Sequence, residues 1–134
     1  MKGLSGCLII IVCVALTTGC QSVGQAQPGG KREVVQHIVV LWLKDRGSIG
    51  DRERLMRSAK ELAKLPGVID VRAGIMLPSD RPIVDSTYDV AMIFSFESRK
   101  AMVDYIVNPV HKKAVDEIIK PLVERIVVYD FIEQ

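Results

Sequence analysis

The 134-residue chain is poor in metal ligands, with two histidines, His37 and His111, and three cysteines, Cys7, Cys13 and Cys20. The histidines are far apart, so no H-x-x-H or H-E-x-x-H spacing exists, and no metal site is expected. No cysteine follows Cys20, which excludes a disulfide framework within the rest of the chain. Charge of one sign is also lacking. The 18 basic and 16 acidic side chains leave a formal net charge of +2, without the basic excess of a nucleic-acid binder, and no nucleic-acid partner is expected. Gly47 and Gly50 precede a helical pattern but stand outside any G-x-G-x-x-G or G-x-x-x-x-G-K frame, so no phosphate cradle is indicated. No cofactor is expected.

Long apolar runs are scarce too. Residues 7–16, CLIIIVCVAL, form an unbroken one, preceded by Lys2 and with no acidic residue before Glu33. Ten residues make about 15 Å of helix, half of a ~30 Å hydrocarbon core. The run suits the apolar stretch of a signal peptide over residues 1–19. Thr17-Thr18-Gly19-Cys20 follows, and with Leu16 it resembles the lipobox of a bacterial lipoprotein, although that leucine stands four residues before the cysteine rather than three. The resemblance implies acylation of Cys20. The alternative is ordinary secretory cleavage near Gly19, with Cys20 incidental. Residues 20–32, rich in Gln, Gly, Ser and Pro, cannot bury enough apolar surface to order themselves and read as a tether. The expected address is the bacterial cell envelope, lipid-anchored to a membrane. Because Gln21 and not Asp follows Cys20, the periplasmic face of the outer membrane is expected in a Gram-negative source.

Residues 33–134 read as one domain. Residues 34–43, VVQHIVVLWL, are rich in β-branched types and predict a first strand, apolar on both faces. Asp51 is expected to cap a helix running to about Leu65, with Leu55, Ala59 and Leu62 inward and Pro66-Gly67 as its stop. Residues 68–77 and 87–96 predict two further strands around a proline-bearing loop. Ser98 is expected to cap a second helix, broken at Asn108-Pro109 because the residue before proline avoids the helical region. Pro109 starts another helix with Val110, Ala114, Val115, Ile118 and Ile119 inward. Residues 122–132 close as a fourth strand, with Val127, Tyr129 and Phe131 on one side and Ile126, Val128 and Ile132 on the other.

The order is βαββαβ, a ferredoxin-like α+β fold in which helices cover one face of a four-stranded antiparallel sheet. The uncovered face of a monomer should be polar. Strands one, three and four are apolar on both faces, so a second copy is expected to cover it.

The segments Q-H-I-V-V-L-W-L-K-D, Y-D-V-A-M-I-F-S-F-E-S, Y-I-V-N-P-V-H and V-V-Y-D-F resemble the stress-responsive α/β-barrel family, called Dabb, from His37 to Phe131. The most specific stretch is Tyr105, Asn108, Pro109 and His111, where Asn108 replaces the family's usual histidine. The resemblance implies a homodimer whose two sheets pack into a barrel, and a small apolar cavity between each sheet and its own helices. Family members include stress-induced plant proteins and cyclases that close polyketide chains by aldol condensation. The cyclases' tyrosine and histidines match Tyr105, His111 and His37; a further third-strand histidine is replaced here by Val90.

Aldol cyclisation needs a base beside a carbonyl and a donor for its oxygen, roles that suit histidine and tyrosine. The bland reading is also physical. Tyr105 lies on an apolar helix stripe, His111 can bridge the Pro109 break, and His37 on an apolar strand face suits a hydrogen-bonded core residue. Two functions fit these residues. One is an envelope-anchored lipoprotein that binds a small apolar ligand or acts in stress tolerance. The other is a cyclase- or lyase-like enzyme on a ketone-bearing, polyketide-like substrate, using Tyr105, His111 and His37.

Overall fold

In the computed structural model, which describes residues 33–134, the β-branched run at the start of the domain forms the central strand β1, Val35–Leu43. The expectations for residues 1–19, for Cys20 and for the tether lie outside the described residues. Strand β1 pairs antiparallel with β3, Val90–Phe96, on one side and β4, Val123–Ile132, on the other. Strand β2, Val68–Ile75, adds to the far side of β3, giving the sheet order β2-β3-β1-β4. This is the ferredoxin-like arrangement that the βαββαβ order implies. Among the described residues no helix is long and apolar enough to cross a membrane.

The ends of the elements depart from the expectations, for local reasons. Helix α1 runs Ile49–Leu62, and its cap is Ser48 rather than Asp51: the Ser48 hydroxyl accepts from the Asp51 amide at 3.4 Å. Asp51 falls instead in the first turn, where a carboxylate favours the positive helix end. Strand β3 begins at Val90 because the residues before it are drawn elsewhere. The Thr87 amide and hydroxyl both donate to the Asp85 carboxylate, at 2.8 and 2.6 Å. Asp89 is buried and accepts from the amides of Leu43 and Gly47, from Arg52 Nη2 at 3.0 Å and from Arg46 Nε at 2.8 Å. It pins the β1–α1 turn, whose Gly47 has φ +81°.

Helix α2, Arg99–Val107, is capped by Ser98, whose hydroxyl accepts from the Ala101 amide at 3.1 Å. Asn108 ends α2 and, through Oδ1, caps α3, Pro109–Ala114, by accepting from the Val110 amide at 2.8 Å. The chain then widens into a π-helical segment, Val115–Ile119, in which the Lys120 amide reaches back to the Val115 carbonyl. A short α4, Lys120–Leu122, leads into β4.

Two faces result. Toward the helices, the cross-strand row Phe96–Val35–Ile132 and the pair Val90–Leu41 pack with Leu55, Ala59, Leu62, Ala101 and Tyr105 into the core. On the opposite face the rows Ile93–Ile38–Tyr129 and Ser95–Gln36–Phe131 carry no helix. Tyr129 is 59% exposed and Phe131 49%.

Candidate functional site

Strand alternation places His37 and Val39 on the helix side of β1, beside Phe94 and Met92 of β3 and Asp130 and Val128 of β4. The helix break at Asn108–Pro109 leaves space above these rows. A cavity of about 320 Å³ lies there, closed by Tyr105 and Ile106 of α2, His111 of α3, and Val115 and Ile119 of the π-helical segment. Tyr105, His111 and His37, nominated from sequence as acid–base candidates, thus line one chamber. Its remaining walls are almost wholly apolar.

Each polar group has a defined state. The His37 Nδ1 lies 2.6 Å from Asp130 Oδ1. A carboxylate only accepts, so Nδ1–H donates and Nε2 carries the lone pair when the ring is neutral. The His37 ring is packed among Phe94, Phe96 and Tyr105, with centroids 6.2 to 6.4 Å away. Tyr105 is only 2% exposed, and burial pushes its phenol well above the usual range. It therefore stays protonated at neutral pH and serves as a donor. No hydrogen bond from another described residue reaches it. Its ring lies 4.9 Å from that of Phe96 and 4.5 Å from that of His111.

His111 spans the helix break. Its Nδ1 donates to the Ile106 carbonyl at 3.1 Å, which is the bridging role the bland reading allowed. Burial holds the His111 pKa below the usual histidine value. The bond to Ile106 opposes that shift, and the nearby His37 adds to it. A neutral His111 bonded through Nδ1 keeps an Nε2 lone pair able to accept a proton. The chamber thus combines one donor, Tyr105, with two imidazoles, one of them oriented by a carboxylate. That set can polarise a carbonyl oxygen and exchange a proton beside it.

Asp130 was not singled out from sequence. Its signal was there: a lone charge alternating with Ile126, Val128 and Ile132, in a strand that a register argument could have set against His37. The position matched to the cyclases' third-strand histidine is Val90, fully buried in the Leu41 row. In this chain the chamber's third-strand wall is Met92 and Phe94, further along the strand. Among the described residues, no group of three or more His, Cys, Asp or Glu could hold a metal ion.

Comparison with known proteins adds the family. No curated protein matches. Among solved structures, the chain is similar to a Dabb family protein with a ferredoxin-like fold from Mesorhizobium loti, at 24% identity and TM-score 0.63, over 76% of this chain and 98% of that one. It is similar to a hydroxynitrile lyase from Passiflora edulis, at 21% identity and TM-score 0.68, over 78% of this chain and 96% of that one. It also resembles a dimeric ferredoxin-like protein of unknown function from Thermobifida fusca, at 20% identity and TM-score 0.61, over 75% and 92% of the two chains. The family model for the stress responsive A/B barrel domain matches residues 35–133, nearly the whole of the described sheet and helices, and the chain belongs to that family, Dabb.

Proposed function

We propose that this Dabb domain binds a small, largely apolar molecule bearing a carbonyl or hydroxyl oxygen in the chamber between its sheet and its helices. The observation that carries the reading is the buried Tyr105 phenol, without a hydrogen-bond partner among the described residues, beside His111 in an otherwise apolar cavity. A hydroxyl that lines the chamber and is bonded to no other described residue is left to donate to a ligand or water there. The test is calorimetric titration of the chain with a panel of small ketones and aldehydes. A dissociation constant in the micromolar to millimolar range that weakens in Tyr105→Phe supports the reading, and equal affinity for both proteins refutes it.

A second reading has its own observation. The short His37–Asp130 contact orients one imidazole as a base orienter would, which favours lyase- or cyclase-like proton transfer on a ketone-bearing substrate. The hydroxynitrile lyase among the similar structures is consistent with it. Cleavage of cyanohydrins, or cyclisation of a poly-β-ketone, by the wild type and not by His37→Ala or His111→Ala would establish it.

We infer further that the chain is a homodimer through the helix-free sheet face, as its dimeric relatives suggest. We also infer that it is held at the envelope through acylated Cys20. Mass spectrometry of membrane-extracted protein should find diacylglycerol on Cys20. Recovery of an unmodified, soluble mature chain would refute the anchor.

A further inference from the structure

We propose that the ligand of this chamber is amphipathic, with its apolar, carbonyl-bearing body inside and a carboxylate head held outside by Lys112. The inference rests on the chamber reading above and adds the class of ligand: a monocarboxylic acid with an oxygen function on its apolar part.

The inner walls argue against a charge within. No lysine or arginine lines the chamber, and its one formal charge is the Asp130 carboxylate. An anion seated there would be desolvated beside a like charge with no cation to compensate.

Immediately outside, the balance reverses. A smaller hollow of about 230 Å³ shares Ile106, His111 and Val115 with the chamber and adds Lys112, Asp116 and Lys120. Those three shared side chains are the partition between the two spaces. Within the hollow, Lys120 Nζ is taken by Asp116 at 2.6 Å, so that pair is neutral. Lys113 is engaged with Glu117 at 3.9 Å. Lys112 has no carboxylate within ion-pair distance among the described residues, which leaves the hollow with one uncompensated positive charge. Ile106, 39% exposed, supplies an apolar rim between this charge and the interior. The hollow opens on the helix layer, so a partner docked on the opposite sheet face would leave it free.

The geometry therefore fits a molecule lying across the partition, oxygen toward Tyr105 and His111, head toward Lys112. The experiment compares 7-oxooctanoate with its methyl ester, an equal skeleton with the charge masked, by calorimetric titration of the full chain at pH 7.5. The acid should bind about threefold to fivefold more tightly than the ester, the range of a solvent-facing ion pair. The advantage should shrink at high salt. It should vanish in Lys112→Met and survive in Lys113→Met, while the ester binds all three proteins alike. Ester binding with no advantage for the acid, or an advantage that persists in Lys112→Met, overturns the proposal and leaves the chamber reading standing. Failure of both probes to bind overturns the two together. Circular dichroism of the exposed Lys112→Met variant separates loss of charge from loss of fold.

Discussion

Tyr105 does two jobs at once, and a single atom divides them. Its ring fills the core between Phe94 and Phe96, with centroids 5.5 and 4.9 Å away, while its hydroxyl bonds to no other described residue. Tyr105→Phe keeps the ring, so stability measured by urea unfolding should change by less than about 1 kcal/mol. His111 should give a pH signature. Its folded pKa lies below that of the unfolded chain, so its contribution is complete above the unfolded value near 6.5. That contribution fades as pH falls through the window below it, where the unfolded state takes up the proton first. In His111→Gln the slope of stability between pH 7 and pH 5 should flatten. Asp89 behaves as a depressed carboxylate. Burial pushes its pKa up, but the Leu43 and Gly47 amides, Arg52 and Arg46 outweigh that and leave it below 3.8. Its contribution is thus full above about pH 4 and lost as pH falls through the folded value. Asp89→Ala should destabilise by about 3 kcal/mol at pH 7, because the buried Leu43 amide loses its acceptor along with the ion pairs. The difference from wild type should narrow in titrations below pH 4.

At the scale of elements, alternation and punctuation were legible, and distant polar contacts were not. The two-faced apolar run of β1, the Ser98 cap and the Asn108–Pro109 break are local patterns and stand where the sequence puts them. The Ser48 cap was missed because Ser48 and Asp51 are both good caps three residues apart, and only the backbone of the preceding turn, fixed by distant Asp89, selects one. Asp130 was missed for a similar reason, since its partner is 93 residues away. Widening of the third helix into a π segment leaves no mark that periodicity can resolve. One glycine is sharply constrained. Gly67 has φ +82°, and a Cβ there would lie 2.6 Å from Ala101 Cβ, the close approach that seats α2 on the α1–β2 turn. Gly67→Ala should therefore lower stability by about 2 kcal/mol, measured by urea unfolding, from the left-handed backbone plus the clash. Deleting Asp116 should return the π segment to an α-helix with its flanks in register, and shift Val115 and Ile119, two walls of the chamber. Ligand binding should then be lost with secondary structure retained by circular dichroism.

For the whole molecule, the open sheet face is the feature that a lone chain cannot explain. Ile93, Tyr129 and Phe131 would sit in water on a broad apolar surface. A stable interface of this kind buries ~1,600 Å² or more in total. The full chain, in mild detergent, should sediment as a dimer at micromolar concentration, and Ile93→Lys should drive it to monomer. A wild-type monomer at that concentration would overturn the assembly. The sheet itself then has a consequence for how the molecule would respond to ligand. His37 and Ile38 are neighbours in sequence, yet one looks into the chamber and the other onto the helix-free face of the sheet. In a face-to-face pair each chamber is therefore on the outer flank, with two sheets between it and its twin. No wall is shared, and neither occupant touches the other subunit. Filling one should leave the second as empty and as receptive as before, so the saturation curve should be a plain hyperbola, one molecule for every chain, with a Hill coefficient of about one.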